Sequence, residues 1–398
     1  MVKARKTQIP PPLSLELFAG AGGLALGMTK AGIQHQGVVE WNVDACDTIR
    51  RNIELQHSLV DHWPTPTQGD VREFDFSKHL NVDIVSGGPP CQPFSMGGKH
   101  QAFLDARDMF PQAVRAIREI RPKAFLFENV RGLTRPTFSQ YFSYILHQMK
   151  YPSVVAKKGE EWAKHLSRLE THKAHGAEPE YRVEYQVVDA ANYGVPQRRH
   201  RVVLVGIRND IPGNYAFPDA THTHDRLLHD QYVTGAYWER HKVAKKDRPT
   251  VSSLFEKRVD RLKSAKIPLD KPWTTVRDAI SDLPDPELHP KNRIQAHKFQ
   301  PGARTYVGHT GSPLDEPSKA LKAGDHGVPG GENMLRRLDG TVRYFTIRES
   351  ARIQTFPDDY HFSGSWGEVM RQLGNAVPVD LARAVAQPLV DLLARTDA

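Results

Sequence analysis

Cysteine is almost missing from this chain: 398 residues hold only Cys46 and Cys91. Two such residues exclude a disulfide framework and point to a reducing compartment. Long apolar runs are missing too. None approaches the ~20 residues of a membrane span, and mean hydropathy is −0.54, so a soluble chain with no membrane partner is expected. Residues Met1 to Thr7 are basic but carry no apolar signal core, so the expected location is the cytoplasm. No Cys/His cluster has zinc-finger spacing despite 19 histidines, so no metal is expected. Internal repeats are absent.

What is present is ample material for a core, with 39% hydrophobic residues, and enough length for two domains or one domain with an insertion. The formal net charge is +8. Lysines and arginines that neutralise phosphates release counterions, so the excess suits a polyanion. Charge alone leaves a merely basic soluble protein equally open.

Residues 13 to 210 alternate strand and helix signals. Leu13, Leu15 and Leu17 mark a period-two strand, Gly22 to Ala31 a helix, Gly37 to Glu40 a strand and Val43 to Leu55 a helix. Val82 to Val85 is a strand, Phe110 to Ile120 a helix, and Ala124 to Phe127 and Val202 to Ile207 are apolar strands. This alternation predicts a parallel α/β sheet covered on both faces. Residues 151–180, charged and His-rich, read as a partly helical surface insertion. From 211 to 345 the alternation stops, and Pro, Gly, His, Lys and Arg take over, as in a separate loop-rich domain. In 346–398, Leu381, Val385, Leu389 and Leu392 have helical spacing, so a last helix is expected to return to the first domain.

The first strand runs into Phe18-Ala19-Gly20-Ala21-Gly22-Gly23, and Glu40 closes the next strand about 20 residues on. Glycines allow a tight turn and a close ligand approach, and an acid so placed binds ribose hydroxyls in folds of this kind. Trp41 either stacks on a base or is half-buried; Asp70 either accepts from an adenine amine or caps a turn. Nothing in these residues separates a dinucleotide from S-adenosylmethionine. Cys91, at a strand end in Gly-Gly-Pro-Pro-Cys-Gln-Pro-Phe-Ser, is a thiol placed for attack. Glu128 follows the Ala124 strand as a general acid or, on the plainer reading, a helix cap, with Asn129 as the other candidate cap. In Gln197-Arg198-Arg199-His200-Arg201, alternation puts Arg199 and Arg201 on one side, where a guanidinium binds developing charge; Arg198 is as readily a phosphate contact.

These segments, in this order, resemble the DNA cytosine-5 methyltransferase family, in its prokaryotic restriction–modification form. Two later segments extend the resemblance to about residue 390: Arg348-Glu349-Ser350-Ala351-Arg352-Ile353-Gln354-Thr355-Phe356-Pro357 and Gln372-Leu373-Gly374-Asn375-Ala376-Val377-Pro378. The resemblance implies a Rossmann-like methyltransferase domain with a smaller target-recognition domain inserted before the C-terminal helix. It implies S-adenosyl-L-methionine held by Phe18, Gly20, Gly22, Glu40, Trp41, Asp70, Val71, Pro90, Phe110 and Asn375. It makes Cys91 the nucleophile on a cytosine flipped from duplex DNA, Glu128 the acid at N3, and Arg199 and Arg201 donors. A monomer is expected. Asp105 to Asp108 would end a closing loop, in which Gly97 replaces the serine that several relatives carry.

Three other readings compete. An amino-methylating DNA enzyme needs no thiol and shows an aromatic residue where Cys91 stands. A tRNA methyltransferase shares the cysteine chemistry, but the long basic stretch 211–345 favours a duplex reader. A non-catalytic DNA-binding regulator would have no use for Cys91, Glu128 and Arg201 together.

Overall fold

The computed structural model describes residues 10–90, 108–307, 309–323 and 333–396. The chain splits into two compact units: 1–188, 200–218 and 359–398 form the first, and 189–199 and 219–358 the second. In chain order, β1 (Leu13–Leu17), α1 (Gly23–Lys30), β2 (Gln34–Glu40), α2 (Val43–Glu54), β3 (Thr67–Gln68), β4 (Ile84–Gly87) and α3 (Phe110–Ile120) come first. Next are β5 (Ala124–Val130), α4 (Ser139–Lys150), α5 (Trp162–Ala174), β6 (Tyr181–Asp189), β7 (Gln197–Arg198) and β8 (His200–Arg208). The second unit continues with β9 (His222–Thr223), α6 (His224–Tyr232), α7 (Ala236–Arg240), α8 (Glu256–Ser264), β10 (Lys271–Pro272) and α9 (Val276–Ile280). It ends with β11 (Ser312–Pro313), β12 (Ser318–Lys319), β13 (Met334–Arg336), β14 (Val342–Tyr344) and α10 (Ile347–Ile353), before α11 (Trp366–Asn375) and α12 (Val379–Thr396) return to the first unit.

The first unit is built on a seven-stranded sheet, ordered β3-β2-β1-β4-β5-β8-β6. Strands β3 to β5 pair in parallel, whereas β8 runs antiparallel to β5, from Ala124 opposite Ile207 to Val130 opposite Arg201. This corrects the expected all-parallel sheet. A parallel crossover takes a dozen or more residues, and the connection 190–199 between β6 and β8 carries no α-helix to make one. Leu15 and Leu17 turn to one face, where they join Val114, Ile117, Phe125, Phe127 and Ile145 in the largest apolar cluster. Each such fully buried side chain contributes about 1.5–3 kcal/mol. Ser14 and Glu16 necessarily turn to the other face, toward α1. There α12 packs on α1 so closely that a Cβ on Gly27 would lie 2.3 Å from Ala382 Cβ.

The insertion is less superficial than its composition suggests. Helix α5 buries Leu169 completely, and the His165 ring bonds Tyr144 Oη (2.9 Å) and the Val154 carbonyl (2.7 Å). Its histidines and charges mask an inward face.

In the second unit, short strands β11, β13 and β14 form one sheet, and β9–β10 and β7–β12 form pairs. Compared with the expected 211–345, the unit takes in 189–199 and runs on to 358, while 211–218 lies in the first unit. The Arg343–Glu349 ion pair (2.6 Å, both side chains buried) and the Thr346–Glu349 capping box tie α10 to it. Arg352 reaches Asp282 and Asp358. At the other end, Ser318 pairs with Gln197, drawing 189–199 in.

Candidate active site

The glycine-rich turn leaves β1 through positive φ at Phe18 (56°), Gly20 (54°) and Gly22 (86°). The Gly20 N–H donates to Glu40 Oε2 (2.7 Å), while Glu40 Oε1 accepts from the N–H groups of Trp41 (2.9 Å) and Asn42 (2.8 Å). Three backbone donors therefore aim this carboxylate, which has about four lone-pair sites and keeps capacity for a hydroxyl. A Cβ on Gly20 would meet nothing within 4 Å, and the Trp41 side chain is 69% exposed. Trp63 and Tyr360 close the other side of the turn, each 3.3 Å from a Cβ placed on Gly22, and Tyr360 Oη donates to the Ala21 carbonyl (2.9 Å). These two wall residues escaped the sequence reading, since neither lies near the turn in the chain.

An oriented acid, open space and a bare aromatic face fit an adenosyl group. Phe18, Val71 and Phe110 meet in one apolar cluster. Pro90 and Asn375 stand outside it, Asn375 as the exposed last residue of α11. Asp70 is engaged by Arg72, whose Nε lies 3.0 and 2.9 Å from its two oxygens, and those hydrogen bonds hold the Asp70 carboxyl below its ordinary range. The pair is exposed and cheap to open, so a ligand amine would compete with Arg72 for this acceptor.

Strand β4 ends at Gly87, where a Cβ would lie 2.2 Å from the Leu17 carbonyl oxygen. The ends of β1 and β4 are thus pressed together as only glycine permits. Beyond it, Asn129 Nδ2 donates to the Pro89 carbonyl (2.8 Å), and the Met109 N–H donates to that of Pro90 (3.1 Å). Asn129 is therefore no helix cap; it lies within β5 and holds the turn that leads to Cys91. Cys91 itself, Gly97 and Asp105 to Arg107 lie outside the described residues, as do 324–332 of the glycine-rich stretch.

Glu128 also lies inside β5 rather than after it, opposite Val203, and so is not a cap. Its carboxylate is buried, with Oε2 3.5 Å from a Cβ placed on Gly88 and Oε1 2.5 Å from Arg201 Nε. The pair is close but its N–H is poorly aligned on the oxygen. Arg201 Nη1 donates to the His200 carbonyl (2.8 Å). Burial pulls the Arg201 guanidinium below its ordinary value, and Glu128 opposes that pull. Arg199 takes no part in this pair. It sits between β7 and β8, breaking the expected alternation, and belongs to the second unit, buried, with Nη1 donating to the Leu321 carbonyl (2.9 Å).

The other cysteine is buried. Cys46 packs inside α2 with Sγ 3.4 Å from the Glu40 carbonyl, and burial pushes its thiol up to about 11. Cys46→Ala should keep methyl-transfer rates within twofold and cost about 1 kcal/mol or less in a denaturant melt; loss of activity in a folded variant would show that the side chain matters to the site. Among the described residues no cluster of three His, Cys, Asp or Glu could hold a metal ion, and no helix is long and apolar enough to cross a membrane.

The sheet order, the turn after β1 and the acid closing β2 form a Rossmann-like α/β fold. Two solved structures share the fold: the Dnmt2 methyltransferase of S. pombe (TM-score 0.53, 17% identity, 97% of this chain and 100% of that one) and the methyltransferase EhMeth of Entamoeba histolytica (TM-score 0.54, 16% identity, 96% and 99%). Among curated proteins, the chain is 32% identical to the Type II methyltransferase M.PspPI of Psychrobacter sp. over 95% of its own length and 79% of that protein. It is 30% identical to M.NgoMIV of Neisseria gonorrhoeae over 96% and 97%. The family model for C-5 cytosine-specific DNA methylases matches residues 14–151 and 157–391. The chain belongs to that family and is a DNA (cytosine-5) methyltransferase of the restriction–modification kind.

Proposed function

We propose that this chain methylates C5 of a cytosine flipped out of a specific duplex DNA sequence, through a covalent bond between Cys91 and C6, as the protective methylase of a restriction–modification system. The observation that carries the reading is the buried Glu128–Arg201 pair beside Gly88, at the strand ends from which the Cys91 turn departs.

The cytosine ring is electron-poor at C6 and unreactive at C5 until a nucleophile adds. Cys91, its thiol proton released to solvent, forms the S–C6 bond. The electron pair of the C5–C6 double bond moves to C5, and Glu128, protonated transiently as the base enters, supplies a proton to N3. Arg201 holds Glu128 and donates toward O2 as charge develops there. Bound S-adenosylmethionine would supply an electrophilic methyl group at C5, held by Phe18, Gly20, Gly22, Glu40, Trp41, Asp70, Val71, Pro90, Phe110 and Asn375. Loss of the C5 proton to a base then expels the Cys91 thiolate and restores aromaticity, with the N3 proton returning to Glu128. Flipping exposes the C6 face, which is otherwise stacked.

Sequence readout belongs to residues 219–358, whose arginines suit guanine edges while most of their charge meets phosphates. Binding to any duplex should weaken steeply with salt. A chimera carrying a relative's 219–358 segment should methylate that relative's sequence, still at C5. Bisulfite sequencing of DNA from cells expressing it reads both; an active chimera that keeps the original sequence would place readout elsewhere.

A further inference from the structure

One buried acid has no part in the steps above. Glu16 stands next to last in β1, opposite Ser86 of β4. Glu16 is 1% exposed and Ser86 fully buried, and Ser86 Oγ donates to Glu16 Oε2. Among the described residues no cation compensates it. On the same face, Ser14 Oγ bonds His35 Nδ1 (2.8 Å) and His35 Nε2 donates to the Ala25 carbonyl of α1 (3.0 Å), with burial pulling that ring down to about 4, so His35 is neutral. The charged groups of α1 and α12 are Lys30, Asp380, Arg383, Asp391 and Arg395; all are exposed or partly so, and Lys30 pairs with Asp380 (3.2 Å). Those of α2, Asp44, Asp47, Arg50, Arg51 and Glu54, are likewise exposed or partly so, and Glu40 at the end of β2 is held by its backbone donors. Burial pushes the Glu16 carboxyl up to about 8, Ser86 alone opposing. At neutral pH it keeps its proton.

The location gives this proton a use. Gly20 follows Glu16 by four positions, and Cys91 follows Ser86 by five. We propose that Glu16 is a positioning residue for methyl transfer: its side chain, bonded to Ser86, locks the ends of β1 and β4 and so sets the cofactor turn against the segment from Gly88 to Pro90 that leads to Cys91. The inference rests on the reading given under Proposed function. Ionisation would leave a lone charge between the strands, which only water entry or strand separation relieves.

The sign of the pH dependence follows. Because the folded chain holds the Glu16 proton above the ordinary carboxyl range, stability from this group is full at acid pH. It declines as pH rises from about 4.5 toward 8, by up to tenfold per pH unit in the folding constant. Cofactor affinity should hold to about pH 8 and weaken beyond it. Cys91 would act in the opposite direction, since a thiolate gains with pH.

The test is calorimetric titration of the full-length protein with S-adenosylhomocysteine from pH 6 to 9.5, alongside thermal melts from pH 5 to 8. Wild type should lose affinity up to tenfold per unit above pH 8. Glu16→Gln should bind within threefold of wild type at pH 7, show no alkaline loss, and melt without the pH slope that Glu16 adds. Ser86→Ala, which leaves the acid but removes its bond, should weaken binding severalfold at pH 7 and move the loss to higher pH. An unchanged alkaline loss in Glu16→Gln, a tenfold weaker Kd for it at pH 7, or a Ser86→Ala profile identical to wild type would each overturn the inference. A wild type that binds no S-adenosylhomocysteine at any pH would instead remove the cofactor reading beneath it.

Discussion

Cys91→Ser should abolish methyl transfer while leaving duplex and cofactor binding within a few fold of wild type. The reason is electronic. Without sulfur at C6 the ring offers no electron pair at C5, whereas the surfaces that hold DNA and cofactor are built from other residues. Wild type should also form a denaturant-resistant adduct with DNA carrying 5-fluorocytosine, because fluorine at C5 blocks the elimination that frees the enzyme. Radiolabelled methyl transfer, gel retention, calorimetric cofactor titration and adduct formation measure these four quantities. A Cys91→Ser protein with residual turnover above a few per cent, or a wild type that gives no adduct on a good substrate, would sink the covalent route.

Glu128→Gln should slow the single-turnover rate by at least ~10²-fold, the usual span for a general acid, with much smaller changes in DNA affinity. The amide is isosteric but has no acidic proton, and protonation at N3 matters most as charge builds in the transition state. It also leaves Arg201 buried beside a neutral group. Since Arg201 Nε lies 2.5 Å from Glu128 Oε1, removing either partner strands the other, and such stranding typically costs 3–5 kcal/mol. Arg201→Ala is therefore expected to slow chemistry and also to lower the melting temperature. Rapid-quench rates near wild type for Glu128→Gln would end the role assigned to it.

Much of the fold was legible in the sequence. Helix α3 spans the residues that its apolar spacing predicts, because Val114, Ile117 and Ile120 face one core. The glycine turn and Glu40 lie where their order implies, since both act through local backbone geometry. What failed to show was decided by pairing across the sheet. Glu128 and Asn129 look like a strand's exit, yet β5 continues through them because β8 supplies a partner as far as Arg201. The antiparallel course of β8 left no local trace. Arg199 and Arg201 look equivalent two positions apart, but the break after Arg198 sends Arg199 into the other unit. Glu16 hides in the alternation of β1, where a polar residue between leucines normally means an exposed face.

The contact between α1 and α12 has a consequence for how the enzyme is made. Gly27 allows the two helices to touch at Ala382, some 350 positions later, so the sheet that carries the catalytic groups lacks one of its covers until α12 has left the ribosome. Loop closure over such a span is slow, and both segments of the second unit, 189–199 and 219–358, precede α12 in the chain. With the proposed readout by residues 219–358, translation order would give a nascent chain that meets DNA before it can modify it. For a host whose chromosome depends on prompt marking, the interval between those two events is a delay written into the topology. A circular permutant joined near α12 and β1 and opened in the 219–358 segment would shorten it.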